Sequence, residues 1–377
     1  MPPEVVISAT GMFVPPQKIS TAELVASYNA YVRRFNDIHH ADIAAGRKTP
    51  LQESSVAFIV KASGIENRYV MDKAGILDIN RMHPVFAQRT DEEPSVQSEM
   101  AAAAVSHALQ NAARTPEDVD ALIVSCSSLQ RPYPAIAIEV QTALGIEGFA
   151  FDMNVACSAA TYAIKIAADM IAAGSARCVV TVNPEINTGH ANFKDRDSHF
   201  IFGDIATATV IERADTCRSP APFQIRGTRL TSRFSSNVRN NFSFINRWET
   251  EALENRDTLF YQNGRRVFKE VVPLATQLIT GHLAALGIPI TDVCRLWLHQ
   301  ANINMNHLVA AKVLGREPRN GDAPLVLSEF GNTASAGAII AFHRHRDDLK
   351  PGDTGVICSF GAGYSAGSII VQKLPVS

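Results

Sequence analysis

Three side chains in this sequence have the type and setting for nucleophilic chemistry at a carbonyl: Cys157, His299 and Asn332. Cys157 lies within Phe151 to Gly174, FDMNVACSAATYAIKIAADMIAAG, which opens on an apolar run that reads as a buried strand and turns at Asn154-Val155-Ala156. Small and apolar residues then recur at Ala159, Ala160, Ala163, Ile166, Ala167 and Met170, the spacing of a helix. The thiol therefore falls in a first helical turn, where unpaired N–H groups and the helix dipole are expected to favour thiolate. Ala156, Ser158, Ala159 and Ala160 leave the sulfur uncrowded for an elongated electrophile. The other reading of such a residue is a small buried hydrophobe.

His299-Gln300-Ala301-Asn302 follows a short apolar strand and precedes a helix, so an imidazole there can reach a shared cleft. Gly331-Asn332-Thr333 offers an amide that donates a hydrogen bond without carrying charge, or simply caps the next helix. Phe360-Gly361-Ala362-Gly363-Tyr364 places small residues where a backbone N–H can face a developing oxyanion, or where strands merely turn.

The elements that must position these groups alternate between strand and helix. Strands are expected near Val5–Ala9, Ala121–Cys126, Cys178–Val182 and Ile205–Glu212, with helices over Thr21–Arg33, Ser55–Ser63, Ser95–Ala113 and Ala135–Leu144. Asn183 to His199 reads as loop, and Arg213 to Pro222 marks a boundary. Beyond it the programme repeats: strand Phe223–Leu230, helix Val267–Leu286, strand Leu296–Leu298, helices Asn304–Leu314 and Ala334–His343, and strands Val356–Phe360 and Ser368–Gln372. Residues 1–215 and 216–377 thus form two similar β/α halves. Crossover helices imply mostly parallel sheets with ligands at the carboxyl ends of strands, where Cys157, His299 and Gly361 to Gly363 converge.

Composition excludes several classes. Hydrophobic residues make up 46% of the 377, enough for a full core. A net charge of -2 gives no global field for nucleic acid. No apolar run reaches the roughly 18 to 20 residues that span a bilayer. Cys126, Cys157, Cys178, Cys217, Cys294 and Cys358 include no CxxC pair, so neither a zinc site nor a disulfide framework is expected. His39 and His40 cannot share one helix face and are expected at the surface rather than on a metal. With no secretory pattern at the start, the expectation is a reduced, cytoplasmic protein.

The joint, ordered occurrence of Asn154-Val155-Ala156-Cys157-Ser158, His299-Gln300-Ala301-Asn302, Gly331-Asn332-Thr333 and Phe360-Gly361-Ala362-Gly363 resembles the β-ketoacyl-acyl-carrier-protein synthase III family of the thiolase superfamily. Asp195-Arg196-Asp197-Ser198, Phe202-Gly203-Asp204 and Val267-Phe268-Lys269 fit its further landmarks. The resemblance implies a five-layer αβαβα fold, a homodimer, no cofactor, and a decarboxylative condensation of an acyl-CoA with malonyl-acyl carrier protein. It implies that Cys157 takes the acyl group, with the N–H groups of Cys157 and Ala362 holding the oxyanion, and that His299 and Asn332 stabilise the enolate. Phe58 and Arg196 would sandwich the CoA adenine, and Lys269 and Asn302 would follow the pantetheine arm. Phe202, Phe268 and Tyr133 would line the acyl channel, Tyr133 from across the dimer.

The chain departs from that pattern in places. Ala62 replaces an arginine near the CoA phosphate, Asn304 replaces a basic carrier-docking residue, Leu298 replaces a proline, and Ala159 a glycine. Extra length falls in Tyr28–Ser55, Asp72–Pro94 and Ser232–Gln262; the last carries Arg233, Arg239, Arg247 and Arg256, which read as solvated loop charges or as replacements for the missing docking charges. Two rivals follow from the residues. One is a same-fold acyltransferase, or an enzyme joining two longer acyl thioesters; the other is a Cys-His-Asn hydrolase, which lacks its C-G-[SA]-C-[WY] signature here.

Overall fold

A computed structural model describes residues 3–90, 92–241 and 259–375. The first half runs β1 (Val5–Phe13), β2 (Gln17–Ser20), α1 (Thr21–Ile38), α2 (His40–Ala44), α3 (Val56–Ser63), β3 (Asn67–Val70) and α4 (Lys73–Leu77). It continues through α5 (Val96–Asn111), β4 (Ala121–Cys126), α6 (Ile136–Leu144), β5 (Phe149–Asn154), α7 (Ala159–Ala172), β6 (Cys178–Glu185) and β7 (Ile205–Arg213). The second half follows with β8 (Phe223–Ser235), β9 (Val238–Arg239), β10 (Tyr261–Gln262), α8 (Gly264–Ala285), β11 (Val293–Leu298) and α9 (Ile303–Leu314). It closes with α10 (Leu327–Phe330), α11 (Gly337–Arg344), β12 (Thr354–Gly361) and β13 (Gly363–Lys373).

Side-chain alternation along the strands sets the layers. In β4, Ile123 faces a core shared with α7 and α11, whereas Leu122 and Val124 face α5 and α6. In β12, Ile357 faces the same central helices, whereas Val356 and Cys358 face α8 and α9. The order is therefore helices, strands, helices, strands, helices, a five-layer αβαβα stack. The middle layer can be thin because α7 and α11 are built largely of Ala, Gly and Ile, and most small residues of both are buried between the strands.

The strands join in the order β11-β12-β13-β8-β1-β7-β6-β4-β5, the halves meeting where Val6 and Ile7 pair with Gln224 and Phe223. Among the described strands, only β4/β5, β4/β6 and β11/β12 pair parallel. The expectation of mostly parallel sheets is corrected: β12 and β13 form a direct hairpin, and β7 returns between β6 and β1 antiparallel to both. Phe151 does not lie in a buried strand either. β5 ends the sheet, and its residues are half-buried or exposed, Phe149 by 48%. An apolar edge and an apolar core strand read alike in sequence.

Other boundaries moved for local reasons. β6 extends to Glu185 by pairing with β7, so Asn183 to Glu185 are strand rather than loop. α11 begins only after a tight turn over Ala334–Ala336. In the Tyr28–Ser55 segment, α1 continues to Ile38. A reciprocal Ser20–Glu23 capping box starts it, and Leu24, Val25, Tyr28 and Val32 are buried beneath it. Such a cap stabilises a helix by about 0.5–2 kcal/mol. α4 gives the Asp72–Pro94 segment a short helix of its own, capped by Asp72. Among the described residues, no helix is long and apolar enough to cross a membrane.

Candidate active site

Cys157 sits where β5 gives way to α7. The side chain of Asn154 accepts the Ala156 N–H at 3.0 Å, and Ala156 takes φ +46°, a left-handed conformation that costs a non-glycine residue roughly 1–2 kcal/mol. This turn lifts Cys157 out of the helix line toward the second half. Gly361, at the end of β12, comes against it: a Cβ at Gly361 would lie 2.5 Å from the Cys157 Cβ. The sulfur is thus met by the N–H groups of Ala362 and of Cys157 itself.

The second half repeats the device. Asn332 Oδ1 accepts the Ala334 N–H at 2.9 Å, Ala334 takes φ +48°, and the chain enters α11. That bond fixes which way the Asn332 amide faces: its oxygen is engaged and its NH2 remains available to donate. The Asn332 main chain is held by the landmark segment before β7, through Asn332 N–H to Ile201 O at 2.9 Å and Gly203 N–H to Asn332 O at 3.1 Å.

His299 follows β11, its N–H bonded to Cys358 O at 2.8 Å and its ring meeting the Phe360 edge at 5.2 Å between centroids. Burial lowers its pKa to about 4, offset in part by the Ala334 backbone, so the imidazole is neutral near pH 7. Gln300 serves structure, bonding Leu298 O and Val326 N–H. Asn302 caps α9 through Asn304 and Met305 N–H, and its NH2 reaches Ala62 O at 2.6 Å.

One cavity of about 820 Å³ is lined by Cys157, His299, Asn332, Gly361 and Ala362. Phe58, Phe202, Phe268, Lys269 and Asn302 line it too, as do Ala62 and Asn304. Val238, Phe260, Gln262 and Arg265 were not singled out from sequence, yet they also contribute. Arg196 does not line the cavity; its guanidinium carbon lies 4.9 Å from the Phe58 ring centre, and Nε donates to Glu53 O at 3.0 Å. A flat ring between them needs roughly twice the ~3.5 Å contact distance, so the pair must part by about 2 Å to admit one. Tyr133 is 81% exposed and does not reach the cavity within one chain. Arg233 lies by Phe234 near Ala362, Arg239 stacks on Tyr261, and Arg247 and Arg256 lie outside the described residues. A larger groove, about 1120 Å³, runs between residues 86–97 and 128–143 and carries none of the reactive trio.

The expected thiolate is corrected. Enclosure raises the Cys157 pKa to about 12, the Glu185 carboxylate pushes it further in the same direction, and the N–H groups of Ala362 and Cys157 offset only part. Gly361 of the second half closes on the cysteine, an approach that no inspection of residues 151–174 reveals.

Residues 151–226 match the family model for 3-oxoacyl-[acyl-carrier-protein] synthase III, and residues 283–373 match the model of its C-terminal part. The β-ketodecanoyl-[acyl-carrier-protein] synthase of Pseudomonas aeruginosa is 54% identical over 347 residues, 92% of this chain and 99% of that protein. The chain belongs to the β-ketoacyl-acyl-carrier-protein synthase III family. The synthase is accordingly an acyltransferase of the condensing kind, with a place in fatty acid biosynthesis. A β-ketoacyl-[acyl-carrier-protein] synthase III of Granulibacter bethesdensis is 28% identical over 85% of the synthase and 91% of that protein. The solved 3-oxoacyl-[acyl-carrier-protein] synthase III of Aquifex aeolicus superposes with a TM-score of 0.75 at 22% identity, covering 98% of the synthase and 99% of that chain, a likeness of fold.

Proposed function

We propose that the protein condenses an acyl-CoA primer with malonyl-acyl carrier protein through an acyl thioester on Cys157. The observation that carries this reading is the meeting of Cys157, His299, Asn332 and the Ala362 N–H in one cavity. Cys157 sulfur attacks the primer carbonyl, the N–H groups of Cys157 and Ala362 stabilise the oxyanion, and CoA leaves with the proton as its thiol. A malonyl thioester then enters. The neutral His299 and the Asn332 NH2 donate to its carbonyl oxygen, the C–CO2 bond breaks, and its electron pair forms an enolate that attacks the acyl-enzyme. The products are CO2, a β-ketoacyl thioester and the Cys157 thiolate, which takes a proton from solvent to return to the thiol. Neutral donors suit the step, because a full positive charge there would hold the carboxylate instead of releasing it. Both reactants are activated thioesters, so the reading needs no cofactor.

A β-ketodecanoyl product arises by adding two carbons to an eight-carbon primer, and the relative's name supports octanoyl-CoA as primer here. The cavity volume lies within the roughly 300–1,000 Å³ of small-molecule sites. Phe58 and Arg196 take the adenine, Lys269 and Asn302 the pantetheine arm, and Phe202 and Phe268 the acyl chain. Tyr133 completes the channel of a partner subunit: its exposure, with that of Phe149 on the β5 edge, supports a homodimer closed along that edge. The test is intact mass after incubation with acyl-CoAs of two to twelve carbons, with Cys157→Ala alongside, then addition of malonyl carrier protein. An octanoyl adduct on wild type alone, discharged as a β-ketodecanoyl product, is expected. Discharge without a new carbon–carbon bond would refute the condensation.

A further inference from the structure

The condensation as described makes no use of a buried carboxyl, Glu185, whose charge acts on Cys157. Glu185, the last residue of β6, has no solvent exposure, and its hydrogen-bond partners among the described residues carry no positive charge. Burying a carboxylate without a cation is costly unless its lone pairs are all engaged. Here they are engaged from both sides. Ser127 donates its N–H at 3.0 and 3.2 Å to the two oxygens and its hydroxyl at 2.5 Å. Ser335 donates its N–H at 3.2 Å and its hydroxyl.

Those two serines belong to the two repeated turns. Ser127 O accepts Asn154 Nδ2 at 3.1 Å, and Asn154 shapes the Cys157 turn. Ser335 follows Ala334, whose N–H orients Asn332. The sequences of the turns correspond, Asn154-Val155-Ala156-Cys157 with Asn332-Thr333-Ala334-Ser335, so Ser335 stands where the other half has its cysteine. At Cys157 the N–H is turned to the sulfur; at Ser335 it is taken by Glu185.

We infer that Glu185 is a positioning residue that ties the Cys157 turn to the Asn332 turn and holds the Asn332 amide at the angle decarboxylation needs. The inference rests on the proposed condensation. It separates the two half-reactions, because acyl transfer to Cys157 uses the Ala362 N–H and not the Asn332 amide. It also has an electrostatic signature. Burial raises the Glu185 carboxyl to about 7, against the pull of its serine donors, and its negative charge disfavours ionisation of the two thiols that face it, Cys126 from β4 and Cys157 from the turn.

The experiment compares wild type, Glu185→Gln, Glu185→Asp and Ser335→Ala in three assays: octanoylation of Cys157 by intact mass, condensation with malonyl carrier protein, and Cys157 alkylation by iodoacetamide from pH 6 to 9. Glu185→Gln is expected to lose about 10- to 100-fold in condensation with acylation changed less than threefold. Alkylation should become faster above about pH 7, where the wild-type carboxyl is charged, and change little at pH 6, where it is mostly protonated. Glu185→Asp should restore the wild-type alkylation profile and part of the condensation, and Ser335→Ala should show the same split with a smaller loss. Equal losses in both half-reactions, or no loss in either Glu185→Gln or Ser335→Ala, would overturn the inference. Wild type that accepts no acyl group would instead refute the proposed function, and the alkylation profile would still decide whether Glu185 acts on Cys157.

Discussion

The contact between Gly361 and Cys157 permits a worked prediction. A methyl group at position 361 would sit 2.5 Å from the Cys157 Cβ and 3.2 Å from its Cα and N. Relief to a normal carbon contact of ~3.5 Å requires the two to part by about 1 Å. Gly361 cannot supply that shift, because β12 and β13 pair continuously from Thr354 through Gly361 in their hairpin. Cys157 must supply it, main chain included, and so draws its sulfur away from the Ala362 N–H. A displacement near 1 Å is worth about 100-fold in rate, and overpacking adds about 1–3 kcal/mol of instability. Gly361→Ala is therefore expected to octanoylate about 100-fold more slowly than wild type, by a stopped time course read as intact mass, while still melting cooperatively at a lower temperature. A folded Gly361→Ala protein acylating at the wild-type rate would show that the sulfur needs no such close backbone.

Three further outcomes follow from the same coordinates. With its pKa near 12, Cys157 should alkylate about tenfold faster for each pH unit between 7 and 9, followed by peptide mapping; a plateau near pH 7 would mean that the dipole wins over enclosure. Asn332→Ala and Asn332→Asp should each lower malonyl decarboxylation about 10²–10³-fold with acylation of Cys157 retained, since both remove the NH2 donor; decarboxylation kept in both would sink the enolate assignment. Arg114 is buried against Glu212, Nε to Oε2 at 2.9 Å, with Asp118 beyond, so Arg114→Ala should cost about 3–5 kcal/mol in denaturant unfolding with little change in the chemistry of a properly folded sample.

Much of the site was legible because local rules dictated it. The strand, turn and helix around Cys157 follow from apolar spacing, HQAN stands out by its position after a strand, and GNT by its position before a helix. What could not be read depends on which surfaces meet. β5 reads as core because Phe151 and Met153 are apolar, yet it is the last strand of the sheet, half-buried or exposed along its length. Strand direction was misread because the return of β7 between β6 and β1 is a pairing choice, invisible in periodicity. The thiol's ionisation was reversed because desolvation outweighs a helix dipole. Glu185 fell in the stretch from Asn183 to His199 that reads as loop, and the one available signal was the echo of NVAC in NTAS. The extra segments were visible as surplus length, whereas Glu53 holding Arg196 and Phe260 walling the cavity required three dimensions.

The two central helices have a practical meaning for anyone reshaping this catalyst. The turns bearing Cys157 and Asn332 feed directly into α7 and α11, which have strands on both sides and no slack in which to absorb a change. Phe58, Val238, Phe260 and Arg265, by contrast, reach the cavity from α3, β9, the segment before β10 and the start of α8, all at its margin. Libraries varied at those four positions should retune which thioesters are accepted while the reacting atoms stay in register, and libraries in the central layer should yield mostly misfolded protein. The fold thus separates what can be edited from what cannot.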